Sequence, residues 1–276
     1  MCTHPWLPPR AGFCSRCAER IGKPPDLWHP VPRMTSGGSQ MQDWQRYAVF
    51  AVPEGRFYEA GAAWLGWDCV AGAARTQPGL PGLPMPATDL TARPQKYGFH
   101  GTLRPPFRLA EGQSPASLRA AVAGLAAQAA PVSIPELKLT ALGRFLAFVP
   151  ALPHAPLNEL AAQIVTGLNP LRAPLTASEL EKRQTPRLTP RQAALLGCYG
   201  YPYVLDQFRF HLTLTAPVPH AAQAAVAESL SAHFAPILPR PYRIDDLALM
   251  GQAADGRFHL LERFRLEAPA ATDQPR

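Results

Sequence analysis

The chain has 276 residues, 47% of them hydrophobic, and a formal charge of +7, enough apolar material for one large domain or two modest lobes. It holds no apolar run of membrane-spanning length and no basic-then-apolar signal layout at its start, so a protein free of the membrane and placed in the cytoplasm is expected. Only four of its 27 basic residues are Lys, and the arginines are scattered, which permits an anionic ligand without pointing to nucleic acid.

Residues 1–43 are dense in Pro and Gly and read as a disordered or loosely attached leader. Cys2, His4, Cys14 and Cys17 make a weak zinc candidate there, since the first pair is tightly spaced and little surrounds it to pack on a metal. The five cysteines are odd in number and uneven in spacing, which argues against a disulfide framework.

Arg46 to Val52 then reads as a strand ended by Pro53. Phe57 to about Ala71 reads as a helix whose apolar members include Trp64 and Trp67, a core pair. Residues 78–86 form a Pro/Gly/Leu loop, and the run Tyr97 to Leu103 is a strand stopped by Pro105-Pro106. Ser114-Pro115 opens an Ala-rich helix to about Ala130. Leu137 to Leu142 and Phe145 to Val149 form a hairpin about Gly143, and Leu157 to Leu168 an amphipathic helix.

Residues 169–205 are richer in charge and read as a helical insertion, with a capping box at Thr176 and Glu179 and a helix start at Thr189-Pro190. Its arginines, Arg172, Arg183, Arg187 and Arg191, read as solvated, with one or two able to cover a site. Phe208 to Leu214 is a strand, Pro219 to Phe234 a helix, and Tyr242 to Met250 and Phe258 to Leu266 strands joined at Asp255-Gly256. The tail after Glu267 is frayed. The order implies an α+β protein of two similar lobes, each an antiparallel sheet backed by helices. A pseudo-twofold between the lobes would set two strands face to face across a central cleft.

Those two strands hold the chemistry. His100-Gly101-Thr102 and His211-Leu212-Thr213 lie 111 positions apart, each after an aromatic residue and before a Leu, and none of the other six histidines has Thr two residues on. On a strand, alternate side chains share a face. That groups His100 and Thr102 with Lys96 and Arg104, and His211 and Thr213 with Arg209 and Thr215, above an apolar face of Phe99, Leu103, Phe210, Leu212 and Leu214. Two imidazoles near neutral pKa suit a base and an acid, and hydroxyls with cations suit phosphate oxygens. Phosphate-ester chemistry is the expectation. Tyr97, Tyr201 and Tyr203 are candidate substrate contacts, with packing around the histidine strands as their other reading.

The paired His-x-Thr motifs resemble those of the two-histidine (2H) phosphoesterase superfamily, which includes RNA 2′,3′-cyclic phosphodiesterases and RNA 2′–5′ ligases. The stretches around Trp64-Leu65-Gly66-Trp67, Tyr97 to Leu103, Arg172 to Thr176 and Gly200 to Leu214 resemble its branch of phosphonate-metabolism proteins, over roughly residues 44–266. Arg104 stands where that branch leads us to expect Lys. The resemblance implies a metal-independent site with no cofactor, His211 as base, His100 as acid, and Thr102 and Thr213 on the non-bridging oxygens. It implies a small sugar cyclic phosphate such as ribose 1,2-cyclic phosphate 5-phosphate, with Lys96, Arg104 and Arg209 for a second phosphate. RNA ends are the alternative substrate, and a non-catalytic phosphate-ligand binder the third reading. The oligomeric state is left open.

Overall fold

The computed structural model describes residues 44–184 and 188–268. Residues 1–43, read above as a leader, with the Cys2, His4, Cys14 and Cys17 candidate, Arg187, and the residues beyond 268 lie outside the described residues.

In chain order the elements are β1 (Arg46–Ala51), α1 (Gly55–Leu65), β2 (Trp67–Asp68), β3 (Ala73–Ala74), α2 (Ala87–Thr91), β4 (Gly101–Phe107), α3 (Pro115–Gln128) and β5 (Val132–Ile134). There follow β6 (Leu137–Leu142), β7 (Phe145–Pro150), α4 (Ala155–Gly167), α5 (Ala177–Arg183) and α6 (Pro190–Tyr199). The last are β8 (Leu212–Thr213), α7 (His220–Phe234), β9 (Tyr242–Ile244), β10 (Asp246–Gln252) and β11 (Phe258–Arg265).

The expected antiparallel strands backed by helices are present, but the main strands join into one sheet instead of two. Its order is β11-β10-β1-β4-β8-β7-β6, antiparallel throughout. The halves meet where β4 pairs with β8, through the single register pair Gly101↔Leu212. The two predicted histidine strands are thus neighbours at the seam of one sheet, but each begins one residue after its histidine, at Gly101 and Leu212, and β8 is only two of the seven residues predicted from Phe208 to Leu214.

β1 lies between β4 and β10, and from Tyr47 to Ala51 every residue is buried, as a strand covered on both faces requires. Helix α3 packs on β10 and β11, α4 on β4, and α7 on β6 and β7. Phe57 of α1 sits edge-on to Phe99, Phe148 and Phe234, with ring centroids 5.1, 5.6 and 6.0 Å away. Each such buried ring contributes on the order of 2–3 kcal/mol by removal from water.

Helix α1 ends at Gly66, short of the predicted Ala71, because Trp67 and Asp68 leave it to pair with Ala73 and Ala74. The tryptophans are core, as expected. Trp64 donates its indole N–H to Leu214 O at 2.8 Å and Trp67 to Phe258 O at 3.1 Å, so neither buried donor is left unmet. The capping box at Thr176 forms as predicted, and the predicted helix start at Thr189-Pro190 turns out to carry one too, with Gln192; each satisfies first-turn N–H groups that helix geometry leaves free.

Candidate active site

Two glycines position the first motif. Gly98 has φ 75°, in the left-handed region, and a Cβ there would lie 2.6 Å from Cys69 Sγ. This conformation presents the Gly98 carbonyl to His100 Nδ1 at 3.0 Å. Gly101, between the histidine and the threonine, has the Phe210 ring where its Cβ would be, 2.3 Å away. Glycine at 101 is what lets β4 and β8 come together.

The apolar alternates are buried as predicted: Phe99, Leu103, Phe210, Leu212 and Leu214. Opposite them, His100, Thr102, His211 and Thr213 all line one cavity of about 1040 Å³. The two histidines are held alike. His211 Nδ1 lies 2.7 Å from the carbonyl of Arg209, two residues upstream, just as His100 uses Gly98. A carbonyl oxygen only accepts, so each Nδ1 carries a proton, and in the neutral ring Nε2 is left as the acceptor. His100 Nε2 accepts from Thr102 Oγ1 at 3.0 Å.

The environments differ in depth. His100 is 9% exposed and stacks on Phe50 with centroids 3.7 Å apart. Burial, with a smaller push from His211, lowers its pKa to about 4 against the help of the Gly98 carbonyl. Burial also lowers His211, opposed by the Arg209 carbonyl, but its ring is less enclosed and lies beside Phe145 at 5.7 Å. At neutral pH both rings of the free protein are uncharged bases.

Of the other sequence candidates, Arg209, Tyr97, Tyr201 and Tyr203 line the same cavity. Tyr97 also packs, stacking on Phe258 at 5.1 Å and on His100 at 5.9 Å. Tyr203 is 48% exposed and meets Tyr201 edge-on at 5.8 Å. Three candidates do not reach the cavity wall. Lys96 sits exposed on a 3₁₀ turn, Pro94–Tyr97, that replaces the start of the predicted strand, so strand alternation does not apply to it. Thr215 is 1% exposed, and its hydroxyl accepts from the Leu146 N–H at 2.9 Å, a sheet contact.

Arg104 is the third. Against β1, strand β4 carries an extra residue between Thr102 and Arg104 and another between Arg104 and Phe107. These bulges, the second at donorless Pro105-Pro106, re-aim the side chains. Arg104 is 1% exposed and lines a separate small gap with Arg172, Arg183 and Tyr199. Sequence reasoning did not find Arg46 and Phe145, which also line the large cavity; Arg183 lines it too, one of the four arginines read as solvated with one or two able to cover a site. Only the fold brings these residues to the wall. Among the described residues no three or more His, Cys, Asp or Glu side chains gather in a metal-ligating group.

Residues 102–259 match the family described as "Protein of unknown function (DUF1045)". Among curated proteins the chain is similar to the ribose 1,5-bisphosphate phosphokinase PhnN of Janthinobacterium sp. (strain Marseille), at 34% identity over 82% of this chain and 51% of that protein. It is similar to the PhnN of Laribacter hongkongensis (strain HLHK9) at 33% identity, over 76% and 49%. The chain spans about half the length of the curated relatives it matches. Among solved structures, E. coli LigT complexed with 3′-AMP has 16% identity and a TM-score of 0.40, over 82% of this chain and all of that one. That likeness is too slight to transfer a ligand or an activity. The family match takes in more than half of the chain, from Thr102 through the whole second motif into β11, and the chain therefore belongs to the DUF1045 family.

Proposed function

We propose that the chain hydrolyses a cyclic phosphate diester on a ribose, with His100 and His211 as paired base and acid. The observation that supports this most is the duplicated holding of the two rings. Each imidazole is fixed by a carbonyl two residues upstream, faces one cavity, and is followed by a threonine lining that cavity.

The depth of burial favours His100 as base, the reverse of the assignment the resemblance implies. Its pKa of about 4 keeps it neutral over the working range, while the less enclosed His211 takes a proton more readily once an anionic phosphate is bound. Thr102 then turns its hydroxyl from His100 Nε2 to a non-bridging oxygen, and Nε2 accepts a proton from water. The water oxygen bonds to phosphorus, the ring P–O bond breaks, and His211 Nε2 gives its proton to the leaving sugar oxygen. Thr213 holds the second non-bridging oxygen. Positioned proton transfer of this kind contributes roughly 10²–10⁴-fold per group.

A sugar phosphate of phosphonate breakdown suits the curated relatives. Opening ribose 1,2-cyclic phosphate 5-phosphate at the O2–P bond gives ribose 1,5-bisphosphate, the compound in those relatives' name. The exposed Tyr203 and its neighbour Tyr201 on the cavity wall favour a second reading, a 2′,3′-cyclic RNA end whose base would stack there.

Phosphorus NMR in EDTA tests both, with ribose 1,2-cyclic phosphate 5-phosphate and a 2′,3′-cyclic nucleotide as separate substrates and His100→Gln/His211→Gln alongside. Opening of the sugar substrate by the wild type alone is the expected result. Opening of the nucleotide only moves the assignment to RNA ends, and opening of neither, or equal opening by the double variant, ends the proposal.

A further inference from the structure

The gap behind Arg104 is a concentration of positive charge with no matching acid. Arg104, Arg108, Arg172 and Arg183 line it together with one carboxylate, Glu179. That carboxylate is already committed: its Oε2 accepts from Arg108 at 3.0 Å and from the Thr176 N–H at 2.8 Å. Arg172 bonds to Asn169 Oδ1 and to the carbonyls of Ala173 and Cys198, and Arg183 to the carbonyl of Gly200. Arg104 lies over the Phe107 ring, 5.1 Å from its centroid, and is otherwise left over. It is 1% exposed, its Nε and Nη2 are buried with no hydrogen-bond partner, and Nη1 reaches only the Tyr199 carbonyl at 3.4 Å.

A buried guanidinium with two orphaned donors, beside two more cations, is a costly arrangement unless something fills it. Burial, then Arg172 and Arg183, lowers the Arg104 pKa to about 10, which leaves it charged at neutral pH. Neutralisation by proton loss is therefore not the remedy. A dianion is. Planar guanidiniums from three separate segments, β4, the loop after α4 and the end of α5, can each offer paired N–H donors to phosphate oxygens.

The gap adjoins the catalytic cavity, since Arg183 and Tyr201 line both. Its volume is about 10 Å³, room for one water at most. To take a phosphoryl group the gap would have to widen toward the large cavity, with Arg183 giving up the Gly200 carbonyl for a phosphate oxygen.

We propose that Arg104, Arg172 and Arg183 form a second anion subsite that takes a terminal phosphate monoester on the sugar whose cyclic phosphate lies at His100 and His211. This rests on the hydrolase reading and deepens it: the substrate is a bisphosphorylated ribose, held at both ends, and Arg104 specifies the second phosphate.

Calorimetric titration of the protein with ribose 5-phosphate and with inorganic phosphate tests this without turnover. The variants are Arg104→Met, Arg183→Gln and His100→Gln/His211→Gln. Methionine fills the volume of Arg104 without a buried charge, so that variant is expected to fold, and Arg183→Gln, at a partly exposed position, is the second probe should it not. The expected result is a loss of about tenfold or more in ribose 5-phosphate affinity in both arginine variants, with the histidine variant within about threefold of wild type. Unchanged affinity in the arginine variants overturns the subsite. So does no binding by wild type, or loss in the histidine variant alone, which would place the monoester at the histidines. Inorganic phosphate bound as tightly as ribose 5-phosphate, together with turnover of the cyclic substrate at saturating phosphate, would make this a free-phosphate site and overturn the substrate assignment. The NMR assay above reads the histidine chemistry separately, so either reading can fail alone.

Discussion

Replacing His100 with Gln removes an imidazole whose pKa burial lowers from 6.5 to about 4. Because the folded-state value is the lower one, the unfolded chain takes up this proton first as pH falls. The stability tied to the neutral ring is fully present above 6.5, is lost as pH falls from 6.5 toward 4, and is gone below that. Linkage with those two values gives a loss of about 2 kcal/mol between pH 7 and pH 5, and about 3 kcal/mol at completion. Gln keeps a polar group near the Gly98 carbonyl and Thr102 but does not titrate. Its variant should start less stable at pH 7, by roughly 1–2 kcal/mol for the stack on Phe50 and the altered hydrogen bonds, and then lose less on acidification. Urea unfolding followed by tryptophan fluorescence at pH 7 and pH 5 measures both proteins. Carboxylates held low by their partners, such as Glu179 beside Arg108 and Asp206 beside Arg191, titrate in both and cancel in the difference. Equal acid sensitivity of wild type and variant would refute the claim that the fold holds His100 neutral.

The pH profile of kcat/KM should be a bell displaced to the acid side. Activity rises as His100 deprotonates through about pH 4 and falls as His211 loses its proton below the usual imidazole value of 6.5; a flat profile from pH 5 to 9 would exclude a histidine acid. Thr102→Val and Thr213→Val should each cost roughly 10²–10³ in kcat if the hydroxyls hold the phosphate oxygens in the transition state, and an effect on KM alone would make them mere ground-state contacts. Gly101→Ala forces a methyl into the Phe210 ring, so stability should fall by about 1–3 kcal/mol and turnover with it, as measured by unfolding and by the phosphorus assay. Unimpaired turnover there would show that the β4–β8 approach does not set the site.

What the sequence determined by itself was everything local. The buried alternates Phe99, Leu103, Phe210, Leu212 and Leu214, the capping box at Thr176, the helix start at Thr189-Pro190 and the hairpin about Gly143 depend on neighbours a few residues away, and periodicity and cap chemistry are written at that range. Repetition of His-x-Thr was legible for the same reason, although the meeting of the two copies in one cavity was not. The tertiary structure decided what depends on register between distant segments. Val132–Ile134 becomes a strand only because Tyr242–Ile244 pairs with it. The two halves share one sheet because Gly101 admits the Phe210 ring. Lys96 falls on a turn and Thr215 holds the Leu146 N–H. Bulges in β4 carry Arg104 off the face that simple alternation assigns it, into the company of Arg172 and Arg183. A one-residue slip in pairing re-aims a side chain at no cost in local pattern, so no reading of the chain alone could place that arginine.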